Sequence, residues 1–278
     1  MPCVLSVIIP ASNEAEWIGG CLTALLASDP VPGGAEVIVV ANGCHDDTYL
    51  RARGFLDAAE QAGWWLTVLN LETGSKPGAL NRGDAEAQGE IRAYLDADVK
   101  VTPALMAQLV MALNEAEPRY ASGRPEIPPA QSIFSRIYAR FWQRLPFVQS
   151  TAPGYGLFAV NRAGRSRWDR FPAIISDDTF VRLQFLPQER IEVPASYSWP
   201  MIEGFPALVR VRRRQDAGVR EIARLYPDLP QREGKPRMGL SGYLRCGLVD
   251  PLGFIAYAAV IFTVRFGGRD KGGWVRGR

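Results

Sequence analysis

Two pairs of aspartates have a spacing that allows them to share a ligand or a reaction. Asp96 and Asp98 close the apolar run "IRAYLDAD", and Asp177 and Asp178 are adjacent in "SDDT". In an extended segment residues i and i+2 point the same way, so Asp96 and Asp98 can address one ligand. Carboxylate oxygens suit Mg²⁺ and Mn²⁺, and Mg²⁺ commonly takes one or two protein carboxylates together with substrate phosphates. The first pair is therefore either a metal site or the solvated end of a strand.

The second pair points to acid–base chemistry or to the start of a helix. Adjacent residues of a helix point about 100° apart, so Asp177 and Asp178 are expected to have different roles. A carboxylate whose pKa is raised by burial or by a neighbouring acid can act as a general base. Ser176 and Asp177 are also good capping residues for the segment that follows, and capping stays the alternative for Asp177.

Strands that alternate with helices must position these acids. Apolar, β-branched runs at 4–10 and 36–42 predict buried strands, "WWLTVLNL" at 64–71 predicts a third strand, and "IRAYLDAD" predicts a fourth. A stretch with helical spacing follows each of the first three, and the first helix is expected to be capped by Ser12 or Asn13. This order predicts a mostly parallel sheet with right-handed crossovers. Ligands bind beyond the carboxyl ends of such strands, where "PASNE", "ANGCHDD", "LETGSKPGALN" and "DADV" are expected to meet.

The composition is that of a folded globular chain with a substantial core: 278 residues, 47% hydrophobic and 22% charged. The four cysteines are scattered without a CxxC pair, which argues against a disulfide or zinc framework and fits a reducing cytoplasm. The start "MPCVLSVIIP" is expected to be a strand and not a signal peptide. His45 is the sole histidine, so histidine triads are excluded, and it is expected to cap or pack.

Charge is divided unevenly along the chain. Residues 1–204 contain 17 Lys and Arg against 23 Asp and Glu, whereas residues 205–278 contain 15 against 6. A basic tail on an acidic body predicts an anionic partner, and because no nucleic-acid-binding motif is present, a membrane surface is favoured over nucleic acid. The uncharged segment 251–264 is about 21 Å long as a helix, shorter than a bilayer core of about 30 Å. With Arg245 and Arg265 beside it, it is predicted to lie in the interface of an anionic leaflet, or else to dock on the protein.

The order of the short motifs resembles glycosyltransferase family two, the inverting nucleotide-sugar transferases with the A-type (GT-A) fold. "IPASNE", "ANGCHDD", "GSKPGALN", "DAD" and "SDDT" follow the family's sequence of a strand with P-x-x-N-E, an acidic turn, G-K-x-x-A-L-N, D-A-D and an acidic pair. Each motif is weak alone, but five in order over residues 4 to about 185 are specific. The resemblance implies a Rossmann-like, mostly parallel sheet flanked by helices. It implies a catalytic domain over 1–205, with its nucleotide half at about 1–100 and its acceptor half at about 101–205, before a basic, partly apolar helical extension over 206–278.

The resemblance also implies roles for the four aspartates. Asp98 would bind Mn²⁺ or Mg²⁺, and Asp96 would share the metal site and lie near the ribose. A metal across the donor phosphates would offset the charge on the leaving diphosphate. Asp178 matches the second position of the family's E-D motif, which implies that it takes the proton of the acceptor hydroxyl, with Asp177 beside it.

Nucleotide contacts are implied at the other strand ends, through backbone groups of the first strand and through side chains. Asn42 replaces an aspartate of the acidic turn, and its amide can pair with the imide of uracil. Lys76 is expected near the phosphates or the base, and a solvated loop lysine is the alternative. The implied nucleotide-binding residues are Pro10, Ala11, Ser12, Glu14, Asn42, Lys76 and Asp96.

Two later segments are expected on the acceptor side. "PGYGLFAVNR" is predicted to line the acceptor pocket, where Gly154 and Gly156 allow close approach; an ordinary turn is the alternative. "RVRRRQDAG" lies where relatives have a basic segment, but the tryptophan of processive synthases is absent, which favours transfer of a single sugar. One arginine of this segment is expected on the diphosphate or the acceptor, or else on a solvated or lipid-facing surface. The candidates are Arg212, Arg213 and Arg214.

These expectations describe a metal-dependent inverting glycosyltransferase that uses a UDP-sugar and a hydroxyl acceptor. A lipid-linked acceptor, as in envelope polysaccharide or glycolipid synthesis, places the protein on the inner face of the cytoplasmic membrane. Two alternatives remain open. A sugar nucleotidyltransferase needs a Gly-rich "GxGTR"-like loop, which is missing. The intact acids at 96, 98 and 178 argue against a catalytically silent membrane-associated partner that retains the fold.

Overall fold

The computed structural model describes residues 3–234 and 238–267, which form one eight-stranded sheet with packed helices. The part of the predicted C-terminal extension at 235–237 and 268–278 lies outside the described residues. The strands are β1 Leu5–Ala11, β2 Ala35–Asn42, β3 Trp64–Leu71, β4 Ile91–Leu95, β5 Lys100–Val101, β6 Tyr120–Glu126, β7 Leu157–Val160 and β8 Arg190–Ser198. The helices are α1 Ile18–Leu26, α2 Thr48–Arg53, α3 Leu56–Gln61, α4 Lys76–Glu86, α5 Leu105–Leu113, α6 Ile133–Trp142, α7 Arg162–Arg165, α8 Asp177–Arg182, α9 Phe205–Leu225, α10 Leu240–Val249 and α11 Pro251–Phe266.

The first half of the sheet is parallel, as the strand–helix alternation predicts. β1 pairs in parallel with β2 and β4, and β2 pairs in parallel with β3. β1 and β2 are apolar on both faces because each face is covered: Val7 and Ile9 pack into one core cluster, and Ile8 packs into a second. β3 is at the edge of the sheet, and its Trp65 is exposed. The predicted strands at 4–10, 36–42 and 64–71 are confirmed.

The second half of the sheet mixes strand directions. The full order is β3-β2-β1-β4-β7-β6-β8-β5, and β7 is antiparallel to both β4 and β6. β6 and β8 are parallel neighbours. The sequence does not predict β6 and β7, because β6 contains Gly123 and Pro125 and β7 has four residues, so neither alternation nor a long apolar run is visible. The predicted fold class, a mostly parallel sheet flanked by helices, is confirmed.

The first helix begins later than predicted. α1 starts at Ile18, and no side chain accepts a hydrogen bond at its N-cap, Trp17, so the prediction of a Ser12 or Asn13 cap is wrong. Asn13 has a φ of 55°, which turns the chain back over the edge of the sheet. The segment between β1 and α1 is therefore a loop beside the strand ends, where it can contact a ligand.

A third core cluster joins α6, α9 and α11. Tyr138, Leu208 and Tyr257 belong to it, one from each helix. The N-terminus of α11 is held by Asp250, whose carboxylate accepts from the Gly253 N–H at 3.0 Å and from Arg140 Nε at 2.7 Å. The segment at 251–264 thus docks on the protein through one face, as the alternative interpretation expected. Within residues 3–234 and 238–267, no helix combines the length and the hydrophobicity needed to span a membrane.

Candidate active site at the strand ends

The carboxyl ends of β1, β2 and β4 meet at one edge of the sheet, where the chain turns sharply after Leu95. The Asp96 N–H donates to the Gly156 carbonyl at 2.9 Å, and the Val99 N–H donates to the Asp96 carbonyl at 3.1 Å. This turn places Asp96 and Asp98 on the wall of one cavity of about 500 Å³. The two acids therefore share a common space that is large enough for a ligand.

Lys76 links the two acidic pairs of the sequence. It is the first residue of α4, whose N-cap Ser75 accepts from the Gly78 N–H at 3.1 Å. Its Nζ lies 3.0 Å from Asp96 Oδ1 and 3.2 Å from Asp177 Oδ2. Lys76 is therefore a partly buried cation between two carboxylates, and it begins a helix, so the alternative of a solvated loop lysine is wrong.

The charges around Lys76 shift the pKa values of the groups involved. Burial lowers the pKa of Lys76, but the carboxylates of Asp177 and Asp96 raise it by more, so the ammonium form is retained. Burial raises the pKa of Asp177, with the neighbouring charges of Asp178 and Asp96 acting in the same direction and Lys76 opposing them. Asp177 thus depends on Lys76 to stay ionised in its buried position.

The two adjacent aspartates of α8 face different surroundings, as their helical spacing predicts. Asp177 is buried and bound to Lys76, and it does not cap the helix: Ser176 is the N-cap, with no side-chain cap bond. Asp178 is half-buried, lines the same cavity as Asp96 and Asp98, and accepts from the Thr179 N–H at 2.6 Å. Both aspartates line this cavity, and Asp178 is the more exposed of the two.

Asn42 has a structural role that its sequence context does not reveal. Its side chain is 2% exposed, and its Nδ2 donates to the Ala11 carbonyl at 2.9 Å and to the Val40 carbonyl at 3.3 Å. Its Oδ1 accepts from the Ser75 N–H at 2.9 Å. The amide thus ties β1 and β2 to the start of α4, and pairing with a base would compete with these hydrogen bonds. The Ala11 carbonyl likewise already accepts from Asn42.

The other predicted nucleotide contacts lie along the loop after β1. Pro10 lines a small cavity beside the main one, together with Lys76 and Asp96. Ser12 and Glu14 are half-buried, and the Glu14 N–H donates to Thr48 Oγ1 at 2.7 Å. The loop is thereby fixed at the edge where the predicted ribose and base contacts are needed.

His45 has an exposed side chain beside this loop. Its backbone N–H donates to Asn13 Oδ1 at 2.6 Å. The contact that fixes this turn thus comes from the backbone of His45, and the side chain remains at the surface.

Gly154 and Gly156 belong to a loop that must pass very close to its neighbours. Both have a positive φ, +75° and +78° respectively. A Cβ at Gly154 would overlap Tyr120 Oη, and a Cβ at Gly156 would lie 2.9 Å from Val99 Cγ2. Since the Gly156 carbonyl holds the Asp96 N–H, this loop sets the position of the metal-binding turn predicted at residues 96–98.

The three candidate arginines of α9 have different surroundings. Arg213 donates to the Thr263 and Gly267 carbonyls at 3.0 Å and 3.1 Å, at the C-terminal end of α11, which makes it a contact between helices. Arg212 and Arg214 line the cavity, and Arg212 Nε lies 3.0 Å from Asp216 Oδ1. Only Arg212 and Arg214 remain candidates for a ligand contact within this segment.

The sequence analysis missed an aromatic wall of the cavity. It consists of Trp142, Phe147, Tyr155 and Trp199, which come from separate segments and line the same cavity. The ring centroids of Tyr155 and Trp199 are 4.6 Å apart, and those of Trp142 and Trp199 are 5.8 Å apart. The density of aromatic residues around 134–147 was the available signal, but nothing in the sequence brings Trp199 to them.

Arg182 is a second residue that the sequence analysis did not single out. It lies one turn after Asp178 in α8, is 4% exposed, and pairs with Glu233. Its Nε donates to the Ala152 carbonyl at 3.2 Å, and Ala152 has a φ of 47°. Arg182 therefore ties the Gly154–Gly156 loop to the helix that carries Asp178.

The donor set of the cavity fits a hard divalent cation. Among the described residues, no group of three or more His, Cys, Asp and Glu side chains is arranged to hold a metal. Mg²⁺ and Mn²⁺ sites at phosphates need only one or two protein carboxylates, because the substrate supplies further oxygens. Asp96 and Asp98 provide such carboxylates, and Lys76 at 3.0 Å from Asp96 Oδ1 favours Asp98 as the direct ligand.

Known proteins share both sequence and fold with this chain. The sequence profile described as "Glycosyl transferase family 2" matches residues 6–163. Glycosyltransferase AglE from Haloferax volcanii is 38% identical over 94 residues, which are 34% of this chain and 30% of that protein. The match thus spans less than a third of the length of this curated relative.

Solved structures extend the similarity over nearly the whole chain. Mannosyltransferase PcManGT from Pyrobaculum calidifontis, in complex with GDP-Man and Mn²⁺, has a TM-score of 0.59 and 20% identity, covering 95% of this chain and 76% of that one. S. aureus TarS 1–349, in complex with UDP-GlcNAc, has a TM-score of 0.55 and 15% identity, covering 99% and 95%. At these identities the likeness shows the fold, which is GT-A. Because the family profile covers more than half of its length, the chain belongs to glycosyl transferase family 2.

Proposed function

We propose that this glycosyltransferase moves a single sugar, with inversion, from a UDP-sugar to a hydroxyl acceptor and uses Mn²⁺ or Mg²⁺. The observation that carries the proposal is the single cavity lined by Lys76, Asp96, Asp98 and Asp178. A carboxylate pair for a metal, a cation and a separate carboxylate for a proton are the groups that such a transfer requires. Structures of the same fold with GDP-Man and Mn²⁺ or with UDP-GlcNAc support a nucleotide-sugar donor and a divalent ion.

The donor is expected on the side of the cavity formed by the strand ends. A divalent ion at Asp98, with Asp96 beside it, would offset the negative charge that builds on the departing diphosphate. Pro10, Ser12 and Glu14 lie along the loop that would contact the base and ribose. Lys76 holds Asp96 and Asp177 in place, so the site keeps its geometry before the donor arrives.

The acceptor hydroxyl is expected at Asp178. As the hydroxyl oxygen forms its bond to the anomeric carbon, the bond from that carbon to the phosphate oxygen breaks, and the nucleoside diphosphate leaves with the electron pair. The Asp178 carboxylate takes the proton of the hydroxyl. Asp177 has another role, because it is buried and bound to Lys76.

A membrane surface is the proposed location of this reaction, with a lipid-linked acceptor of the kind used for envelope polysaccharides or glycolipids. α10 and α11 expose large apolar side chains that do not take part in their packing on the protein. We define this outward apolar face by Leu244, Leu248, Leu252, Ile255, Phe262 and Phe266, each more than half exposed. An exposed apolar face within the basic stretch 205–278 is typical of helices that lie on an anionic leaflet.

Thermal-shift measurements with UDP-, GDP- and dTDP-sugars, each with and without Mn²⁺, test the donor and the metal together. We expect the largest stabilisation by a UDP-sugar with Mn²⁺, and loss of the Mn²⁺-dependent part in Asp98→Asn. Asp57→Asn, an exposed aspartate of α3, is the matched control and should behave as wild type. A donor that binds equally well without the metal, or an Asp98→Asn protein that keeps the Mn²⁺ effect, would contradict the metal site.

Vesicle sedimentation tests the membrane location. We expect the wild-type protein to bind vesicles rich in anionic lipid and a Phe262→Gln/Phe266→Gln variant to lose most of this binding. Met111→Gln, at a residue of α5 that is 71% exposed, is the control for a general loss of surface hydrophobicity. Equal binding of the double variant and the wild type would rule out the outward apolar face as the contact surface.

A further inference from the structure

The cavity has a second side that the donor chemistry does not explain. The aromatic wall faces the same space as the aspartates, and apolar residues of α9 such as Leu208 and Val211 continue it. A nucleotide-sugar is held by charged and polar groups at the strand ends and leaves this apolar surface without a partner. Large aromatic surfaces in a binding cavity indicate a ligand with hydrocarbon to bury.

Arg214 places a positive charge beside this apolar surface. Arg212 is already paired with Asp216, whereas Arg214 forms no ion pair with any residue in the described part of the chain. Arg214 is half-buried and lines the cavity. A charge in a partly desolvated, apolar setting interacts strongly with an opposite charge, so this position favours an anionic group of the ligand.

The apolar side of the cavity includes α6 and α9, the helices on which α11 docks. Tyr138, Trp142 and Leu208 line the cavity and also belong to the core cluster that contains Tyr257 and Val260 of α11. Tyr257 and Val260 are buried, so core packing, and not exposed surface, joins the cavity wall to α11.

We propose that the acceptor is an amphipathic phosphate: a phosphate-bearing group that Arg214 binds, joined to a hydrocarbon chain that lies along the aromatic wall. This inference rests on the proposed function, because it assigns the acceptor half of the same cavity. It assigns Arg214 to the acceptor and not to the donor diphosphate. The reacting hydroxyl, on the same molecule, then reaches Asp178.

Calorimetric titration with three probes, in the absence of donor, tests this assignment. The probes are geranyl phosphate, geraniol and inorganic phosphate. We expect geranyl phosphate to bind the wild-type protein at least about tenfold more tightly than either of the others, because only it supplies both the anionic group and the chain. Tight binding of inorganic phosphate alone would show a general anion-binding site and would overturn the inference.

Substitutions then separate the two parts of the proposed contact. Arg214→Gln should lower the affinity for geranyl phosphate about ten- to a hundredfold, the usual effect of losing a hydrogen bond to a charged group, and leave geraniol binding unchanged. Arg220→Gln removes the same charge from an exposed position of α9 and should have no effect. Trp199→Leu should weaken geranyl phosphate and geraniol alike. Arg214→Lys, which keeps the charge, should retain most of the preference for the phosphate.

Binding of the donor to the same variants can overturn the assignment of Arg214 to the acceptor. If Arg214→Gln weakens the UDP-sugar and leaves geranyl phosphate unaffected, Arg214 contacts the donor diphosphate and the inference is wrong. Failure of the proposed function would look different, since the wild-type protein would then bind no nucleotide-sugar with Mn²⁺. Melting curves of each variant ensure that a loss of affinity is measured on folded protein.

Discussion

Two regions of this protein are built by different means: the proposed nucleotide half, which is residues 1–100, and the proposed acceptor half, which is formed by the later segments that line the cavity. In the nucleotide half, parallel strands β1 to β4 deliver their functional residues directly at the strand ends. In the acceptor half, the wall comes from α6, the Gly154–Gly156 loop, the end of β8 and α9, segments that are far apart in sequence. The first half is therefore specified by local patterns, whereas the second depends on long-range packing around the aromatic wall.

The contrast extends to how each half holds its charges. Lys76 of the nucleotide half pairs with Asp96 of the same half and with Asp177 of the acceptor half, so two carboxylates of the cavity have a partner before any ligand binds. In the acceptor half, Arg182 holds a loop, and Arg213 of α9 holds the end of α11. We therefore expect substitutions of carboxylates that face a ligand to change the rate of transfer, and substitutions of packed or ion-paired residues to change stability.

The largest effect is expected for Asp178→Asn, which removes the proposed base while keeping shape and hydrogen bonding. The rate of sugar transfer should fall by about 10²- to 10⁴-fold, the usual contribution of a general base. Donor affinity, measured by calorimetry with Mn²⁺, should stay within a factor of two or so, since Asp178 acts on the acceptor. A fall in rate that is matched by an equal loss of donor affinity would show that Asp178 also contributes to donor binding.

Gly156→Ala tests how strongly the acceptor half depends on close packing. The positive φ disfavours a side chain by about 1 kcal/mol, and the added methyl group must displace Val99 and Trp199. We expect a loss of about 2–4 kcal/mol in the free energy of unfolding, measured in urea. Gly63→Ala is the matched control: Gly63 has a φ of +75° with open space around its Cβ position, so only the conformational cost of about 1 kcal/mol applies. Equal losses for both variants would refute the packing argument.

Lys76→Met tests the cation that organises the nucleotide half. Asp177 is left buried without its partner, and we expect a loss of about 1–3 kcal/mol at pH 8, less than for a fully buried pair because Lys76 is partly exposed. The pKa of Asp177, already raised by burial, rises further. A carboxyl with a raised pKa stabilises the fold at low pH and loses this contribution as the pH rises through the folded value. The variant should therefore lie closer to wild type at pH 5 than at pH 8, with Lys100→Met as the exposed control.

Asp250→Ala should give the smallest effect, at the junction of α11 with the acceptor half. Losing the N-cap of α11 costs about 1 kcal/mol. Asp250→Asn keeps the cap and removes the charge that pairs with Arg140, so comparing the two by urea unfolding separates the contributions. The hydrogen bond from Arg140 lowers the pKa of Asp250, so the wild type retains its pairing above the ordinary carboxyl range and loses it as the pH falls through the folded value. If Asp250→Asn lowers the free energy of unfolding as much as Asp250→Ala does, the ion pair contributes more than the cap to holding α11.

The sequence by itself determined the parallel half of the fold and the order of its acidic motifs. Apolar β-branched runs that end in polar turns leave few alternatives, because both faces of such strands must be buried and their carboxyl ends must meet. The same argument puts Asp96 and Asp98 at the end of a strand, whereas Asp178 follows from the resemblance to the family's acidic pair. The structure places all three on one cavity.

Only the tertiary structure decided what each polar group near those ends does. Asn42 sits where a base contact is expected, yet its amide ties β1, β2 and α4 together. Lys76 was expected near the phosphates, and the fold makes it the partner of two carboxylates from distant segments. Hydrogen bonds and ion pairs of this kind depend on a few tenths of an ångström between chains far apart in sequence, which residue patterns do not encode. The aromatic wall has the same origin, because Trp199 meets Trp142 only once β8 and α6 have packed.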